Sequence, residues 1–131
     1  MIMKQAYLKF PNNEWAVIVV FDFDVDLEYE ELQEQLRSFG IKPYNIKKAL
    51  NILSNHNTGM AISNDVLRMS AIYISKATSP SQFWDSCAHE LAHVVTAIID
   101  AYDVPYYSEG AAYLSGFLMR QLVEEIGEPC F

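Results

Sequence analysis

Apolar residues recur along this chain with two periods, near two and near 3.6, and the changes of period mark out four stretches read as strands and four read as helices. Residues 7–10 and 15–23 are short and rich in β-branched and aromatic side chains, so they read as strands. Pro11-Asn12-Asn13 between them is a turn signal, and the pair is expected to form a hairpin. Asp26 can cap a helix whose Tyr29, Leu32, Leu36 and Phe39 share one face and which ends at Gly40. Pro43 suits the first turn of a second helix, with Ile46, Ala49, Leu50 and Leu53 as its apolar stripe. Residues 55–59 read as a turn, and 60–63 and 66–75 as a second hairpin joined at Asn64-Asp65. Ser79-Pro80-Ser81-Gln82 opens a third helix, with Ser79 as cap, Pro80 at the first helical position and Gln82 closing a capping box. That helix is expected to run to about Asp100. Pro105 breaks the pattern, and a fourth helix follows from Tyr107 or Ser108 to Ile126, stopped by Gly127 and Pro129. Strands, two helices, strands and two helices in that order predict an α+β fold.

The length of 131 residues suits one domain, 1–131, and a hydrophobic fraction of 51% is enough for a packed interior. A net charge of −8, with Lys47-Lys48 as the one adjacent basic pair, argues against nucleic acid and against anionic membrane surfaces as partners. The apolar run 15–20 is too short to cross a bilayer. Glu14, Asp22, Asp24 and Asp26 flank it, not the basic start and small-residue cleavage site of a signal peptide. The expectation is a cytoplasmic protein. Cys87 and Cys130 belong to no ligand cluster, and a disulfide between them is not expected in a reducing compartment.

The third helix carries Cys87-Ala88-His89-Glu90-Leu91-Ala92-His93. Residues four apart on a helix are separated by ~40° and ~6 Å of rise, so His89 and His93 project from one face and can hold one metal ion. Glu90 is turned ~60° from His93, which lets its carboxylate reach beside the ion. A zinc hydrolase requires this set: neutral imidazoles as ligands and a carboxylate that takes the proton of a metal-bound water. The pentapeptide alone arises by chance in roughly one in a few hundred chains of this length, so its surroundings have to be weighed. Trp84, Cys87, Ala88, Leu91, Val94, Val95 and Ile98 wrap most of the helix in apolar groups. Against them stands one polar stripe, Asp85, His89, His93, Thr96 and Asp100, without the Lys, Glu or Gln of an ordinary solvated face. The stripe reads as the lining of a site. The competing reading is a histidine pair satisfied in the core or exposed at a helix edge.

Zinc needs a third protein ligand. Asp100 lies about 10 Å beyond His93 along the helix, and Asp85 is better placed to orient an imidazole. Asp103, Glu109 and His56 remain, and Glu109 is the strongest of them. Gly110, Ala111, Ala112, Ser115 and Gly116 beside it would let the fourth helix approach the metal helix closely. A tight helix-turn-helix would leave Glu109 roughly 10–15 Å from His93, so residues 101–107 are expected to double back in extended form. Seven such residues cover ~20 Å.

His89-Glu90-x-x-His93 followed by Glu109 resembles the gluzincin branch of the zincin metallopeptidases. The short spacing and the E-x-x-A of Glu109 to Ala112 are similar to the small ImmA/IrrE-like and minigluzincin-type proteins of bacteria and mobile elements, over residues 58–126. The resemblance implies a small zincin-like fold, with an antiparallel-rich sheet packed against the active-site helix and a C-terminal helix following. It implies that His89, His93 and Glu109 bind zinc and that Glu90 is general base and later proton donor to the leaving amine. It also implies a peptide or protein substrate paired with the edge strand of the sheet, formed by 60–63 or 66–75. The Asp that larger gluzincins place four residues after the glutamate ligand is Tyr113 here. Tyr106, Tyr107 and Tyr113 are the available phenols for an oxyanion.

Two functions follow as expectations: a minimal zinc-dependent peptidase, or a zincin-fold binding module, inhibitor or adaptor, that binds metal without proteolysis. Retention of Glu90 favours the enzyme, because a purely structural zinc needs no base.

Overall fold

A computed structural model of the chain describes residues 3–10 and 14–131. Strand β1 (Lys4–Lys9) pairs antiparallel with β2 (Ala16–Phe21), and helices α1 (Tyr29–Ser38) and α2 (Pro43–Leu53) follow. Strands β3 (Gly59–Asn64) and β4 (Met69–Ile74) form an antiparallel hairpin, and α3 (Pro80–Ala101) and α4 (Glu109–Ile126) complete the chain. The hairpin expected at the N-terminus is present, although its turn signal, Pro11-Asn12-Asn13, lies outside the described residues. The fold is α+β, with a four-stranded mixed sheet of order β1-β2-β4-β3.

The sheet owes its mixed character to β2 and β4, which pair in parallel, with Val17 opposite Ser70 and Val19 opposite Ile72. These two central strands are the most apolar in the chain, and the fold buries both of their faces. Val17, Val19, Phe21, Ile72 and Ile74 point to a core shared with Phe83, Cys87, Leu91, Val94, Val95 and Ile98 of α3 and Ala111, Leu118 and Leu122 of α4. Val20, Ala71 and Tyr73 point the other way, to a core shared with Leu32 and Leu36 of α1 and Ile46, Ala49, Leu50 and Leu53 of α2. The period of two along each strand thus separates two helical layers, one on each face. Strand β3 is an edge of the sheet, and α3 packs along both β3 and β4.

Several local expectations are corrected. β1 begins at Lys4, three residues before the expected start. Asp26 does not cap α1: the side chain of Asp24 accepts the N–H groups of Asp26 and Leu27 at 2.9 and 3.1 Å, and Glu28 occupies the cap position. The β3–β4 connection is longer than Asn64-Asp65; Asn64 Oδ1 accepts the N–H groups of Val66 and Leu67, and β4 starts only at Met69. Among the described residues, no helix is long and apolar enough to cross a membrane.

Candidate metal centre

Ser79 fixes the start of α3, its hydroxyl accepting the N–H of Gln82 at 3.2 Å. Pro80 occupies the first turn, where its missing N–H costs nothing. From that start the helical period turns Phe83, Cys87, Leu91, Val94 and Ile98 onto the sheet and leaves His89 and His93 exposed. Glu90 falls at the border between the two faces and is 6% exposed, although it carries a carboxyl group.

The imidazoles of His89 and His93 lie with ring centroids 5.1 Å apart and planes inclined at 74°. Nε2 of His89 is 4.0 Å from Oε2 of Glu90. One ligand atom from each of His89, Glu90 and His93 lies within 4.8 Å of the others, which makes them the group among the described residues with the spacing to hold a metal ion. Two imidazole nitrogens and a carboxylate oxygen are a donor set that suits a divalent transition ion such as zinc. Cys87 takes no part: it is fully buried, and burial pushes its thiol up to about 12, with the nearby Cys130 adding to the shift. A thiol held protonated is no ligand.

Burial also raises the carboxyl of Glu90 above the ordinary glutamate value, while His89 and His93 pull in the opposite direction. The shift favours the protonated form, the direction expected of a carboxyl taken out of water. Its position depends on a residue without a side chain. Gly59 opens β3 against Glu90, and a Cβ there would stand 2.8 Å from Cγ, 2.9 Å from Oε2 and 3.1 Å from Cδ. Comfortable heavy-atom separations are ~3.5–4.0 Å, so the edge strand passes this close to the helix only because residue 59 is glycine. Its backbone lies outside the left-handed region, so the requirement is for space. In the sequence Gly59 reads as the last residue of a turn. The available signal was a lone glycine at the head of a strand pattern, a mark of close approach.

The structure does not bring Glu109 into the group. Glu109 is exposed at the first position of α4, below the cap Ser108. It lines a different cavity, with Phe10, Tyr113, Phe117 and Arg120. The expected extended return of residues 101–107 is absent. Val104 donates its N–H back to the carbonyl of Ile99 at 2.8 Å and Ser108 to that of Pro105 at 3.0 Å, so the connection is spent in turns. Asp103 has a φ of 56° in the first of them. Asp85 is exposed and outside the metal group, and Thr96 returns its hydroxyl to the carbonyl of Ala92 at 3.0 Å. His56 lines a separate cavity with Asp24, Asp26 and Lys76. Tyr106, Tyr107 and Tyr113 are largely exposed. No family model, curated protein or solved structure matches this chain.

Proposed function

We propose that the chain is a zinc-dependent peptidase. The observation that carries this reading is the buried Glu90 carboxyl, lodged between Gly59 of the edge strand and the imidazole pair of His89 and His93. A structural metal site has no use for a buried carboxyl beside its two imidazoles, whereas a hydrolase does. His89 and His93 would hold the ion. When bound, zinc would supply a Lewis acid that polarises a carbonyl and lowers the pKa of water to about 7. Glu90, beside the imidazoles, would be the group that takes a proton from the attacking water and returns it to the leaving amine.

The substrate reading rests on the strand beside the site. β3 begins at Gly59, against Glu90, and among the described residues no strand pairs with its outer edge, which an extended peptide could therefore take. Such a peptide would carry its backbone past Glu90. The third protein ligand is assigned by sequence pattern to Glu109, which stands apart from the imidazoles in this conformation. That separation is also what favours the second reading, a metal-binding module without proteolysis.

The deciding experiment compares wild type with Glu90→Gln on an unbiased peptide library, read by mass spectrometry. The substitution keeps the size of the side chain and removes the base. Cleavage by wild type, abolished in Glu90→Gln at unchanged zinc content, is expected. Equal cleavage by both proteins would refute the role of Glu90. No cleavage by either, with zinc bound, would transfer the assignment to the binding module.

A further inference from the structure

Glu90 meets β3 at Gly59. Seven residues further along α3 and four further along β3, the same two elements line a cavity of about 300 Å³ with Trp15, Ser63, Asp65, Ala97, Asp100 and Ala101. Seven helical residues rise ~10 Å and four strand residues ~13 Å. The cavity therefore lies beyond the metal centre in the direction in which β3 runs. About four residues of an extended peptide laid on β3 would connect the two.

The chemistry of the cavity is specific. Its floor is the indole of Trp15, which is 2% exposed and whose N–H donates to Ser70 Oγ at 2.9 Å. Ser70 Oγ in turn lies 2.7 Å from Ser63 Oγ on the edge strand, so the indole is held in place by a short polar relay. Ala97 and Ala101 are small and leave room for a long side chain. Asp65 and Asp100 bring two exposed carboxylates, and the Lys and Arg ion pairs among the described residues engage other acids. The neighbouring cation, Arg68, is stacked 4.7 Å from the ring centroid of Tyr102 and 5.9 Å from that of Trp15. The Trp15 ring is nearly covered and already carries Arg68, so it serves as a rigid floor, and the small walls and the two carboxylates, unpaired among the described residues, fit an aliphatic stem that ends in a cation. An acidic side chain would be repelled there, in a chain of net charge −8.

We propose that this cavity is a specificity subsite, which takes the side chain of a lysine or arginine about four residues from the bond presented to Glu90 in a peptide laid along β3. The inference rests on the peptidase reading for the bond and on strand pairing for the peptide, and the substrate class it names is basic peptides.

The test uses fluorescent ten-residue peptides in which one lysine is moved through successive positions of a neutral sequence, with norleucine at the same positions as control. Binding is measured by anisotropy, and cleavage by mass spectrometry in the same mixtures. The proteins are wild type and Asp65→Asn/Asp100→Asn, two exposed substitutions whose folding is checked by circular dichroism. Lysine at one position should bind about tenfold tighter than norleucine at low salt. That preference should disappear in the double variant and shrink at high salt. Equal binding of lysine and norleucine peptides, a preference that survives in the double variant, or no binding of any peptide overturns the subsite. Cleavage without lysine preference overturns the subsite and leaves the peptidase standing. A lysine preference that depends on the two aspartates, without cleavage, overturns the peptidase and leaves the subsite standing.

Discussion

Gly59→Ala tests the close approach of β3 to Glu90 directly. The added Cβ would sit 2.8 Å from Cγ of Glu90, so one of the two groups must give by ~0.7 Å to reach an ordinary contact. Cγ is only the second carbon of the side chain and is anchored on a helix, so swinging the carboxylate away does not by itself relieve the clash. Overpacking of this kind costs about 1–3 kcal/mol. The backbone at Gly59 is outside the left-handed region, so alanine also recovers ~0.4–1 kcal/mol by restricting the unfolded chain. The net expectation is a loss of ~1 kcal/mol, a fall in Tm of ~4 °C for a domain of this size. In a Glu90→Ala background the clashing atoms are gone, and Gly59→Ala should become neutral or stabilising. A double-mutant cycle by urea denaturation should therefore report a coupling of about 1–3 kcal/mol. If the proposed peptidase activity holds, Gly59→Ala should keep its metal and lose that activity by ~100-fold, the cost of misplacing a reacting group by about 1 Å. Additivity of the two substitutions within ~0.5 kcal/mol would refute the contact and, with it, the reason given for the position of Glu90.

The remaining predictions concern the metal and pH. Protein purified without added metal should carry zinc, and His89→Ala/His93→Ala should lose it together with the stabilisation that bound metal gives, measured by elemental analysis and thermal melts with and without chelator. Glu109→Ala should weaken zinc binding by at least tenfold and Asp103→Ala should not; a Glu109→Ala variant that binds zinc like wild type would confine the site to His89, Glu90 and His93. In metal-free protein the raised carboxyl of Glu90 makes its ionised form unfavourable in the fold, so this group supports stability at acid pH and loses that support as pH rises through its folded pKa. Glu90→Gln should therefore be more stable than wild type in denaturant at neutral pH, and the gap should close below the ordinary glutamate range. A constant gap across that range would mean that Glu90 titrates normally.

What could be read from the sequence divides along a physical line. All eight elements were legible because apolar period is a local property; Ser79 is the cap that its pattern announces, whereas Ser108, which reads only as a possible first residue of the fourth helix, proves to be its cap. The imidazole pair was legible for the same reason: the geometry of residues four apart belongs to the helix, whatever the helix packs on. The parallel pairing of β2 with β4 was not legible, since it joins residues more than fifty positions apart. Its trace was the near-continuous apolar run of both strands, which signals burial on two faces. Asp26 was misread because Asp24 and Asp26 offer the same side chain two residues apart, and only the turn geometry selects Asp24.

The two features that decide whether the metal helix is a working centre are both tertiary, and the sequence treats them unequally. Gly59 contributes by having nothing to show, so no local pattern could tie it to Glu90, far along the chain; the parallel order of the central strands does so by leaving β3 at the edge under α3. Glu109 is the reverse case. Its local pattern is suggestive, but its reach depends on how seven residues are spent. Extended, they span ~20 Å. Folded into turns by Val104 N–H to Ile99 and Ser108 N–H to Pro105, they leave Glu109 beyond the group formed by the imidazoles and Glu90. Those two backbone hydrogen bonds, each worth only about 1 kcal/mol net, hold the connection in turns, and Ala111 and Leu118 anchor α4 in the core behind it, so metal binding that drew Glu109 to the imidazoles would have to outweigh both.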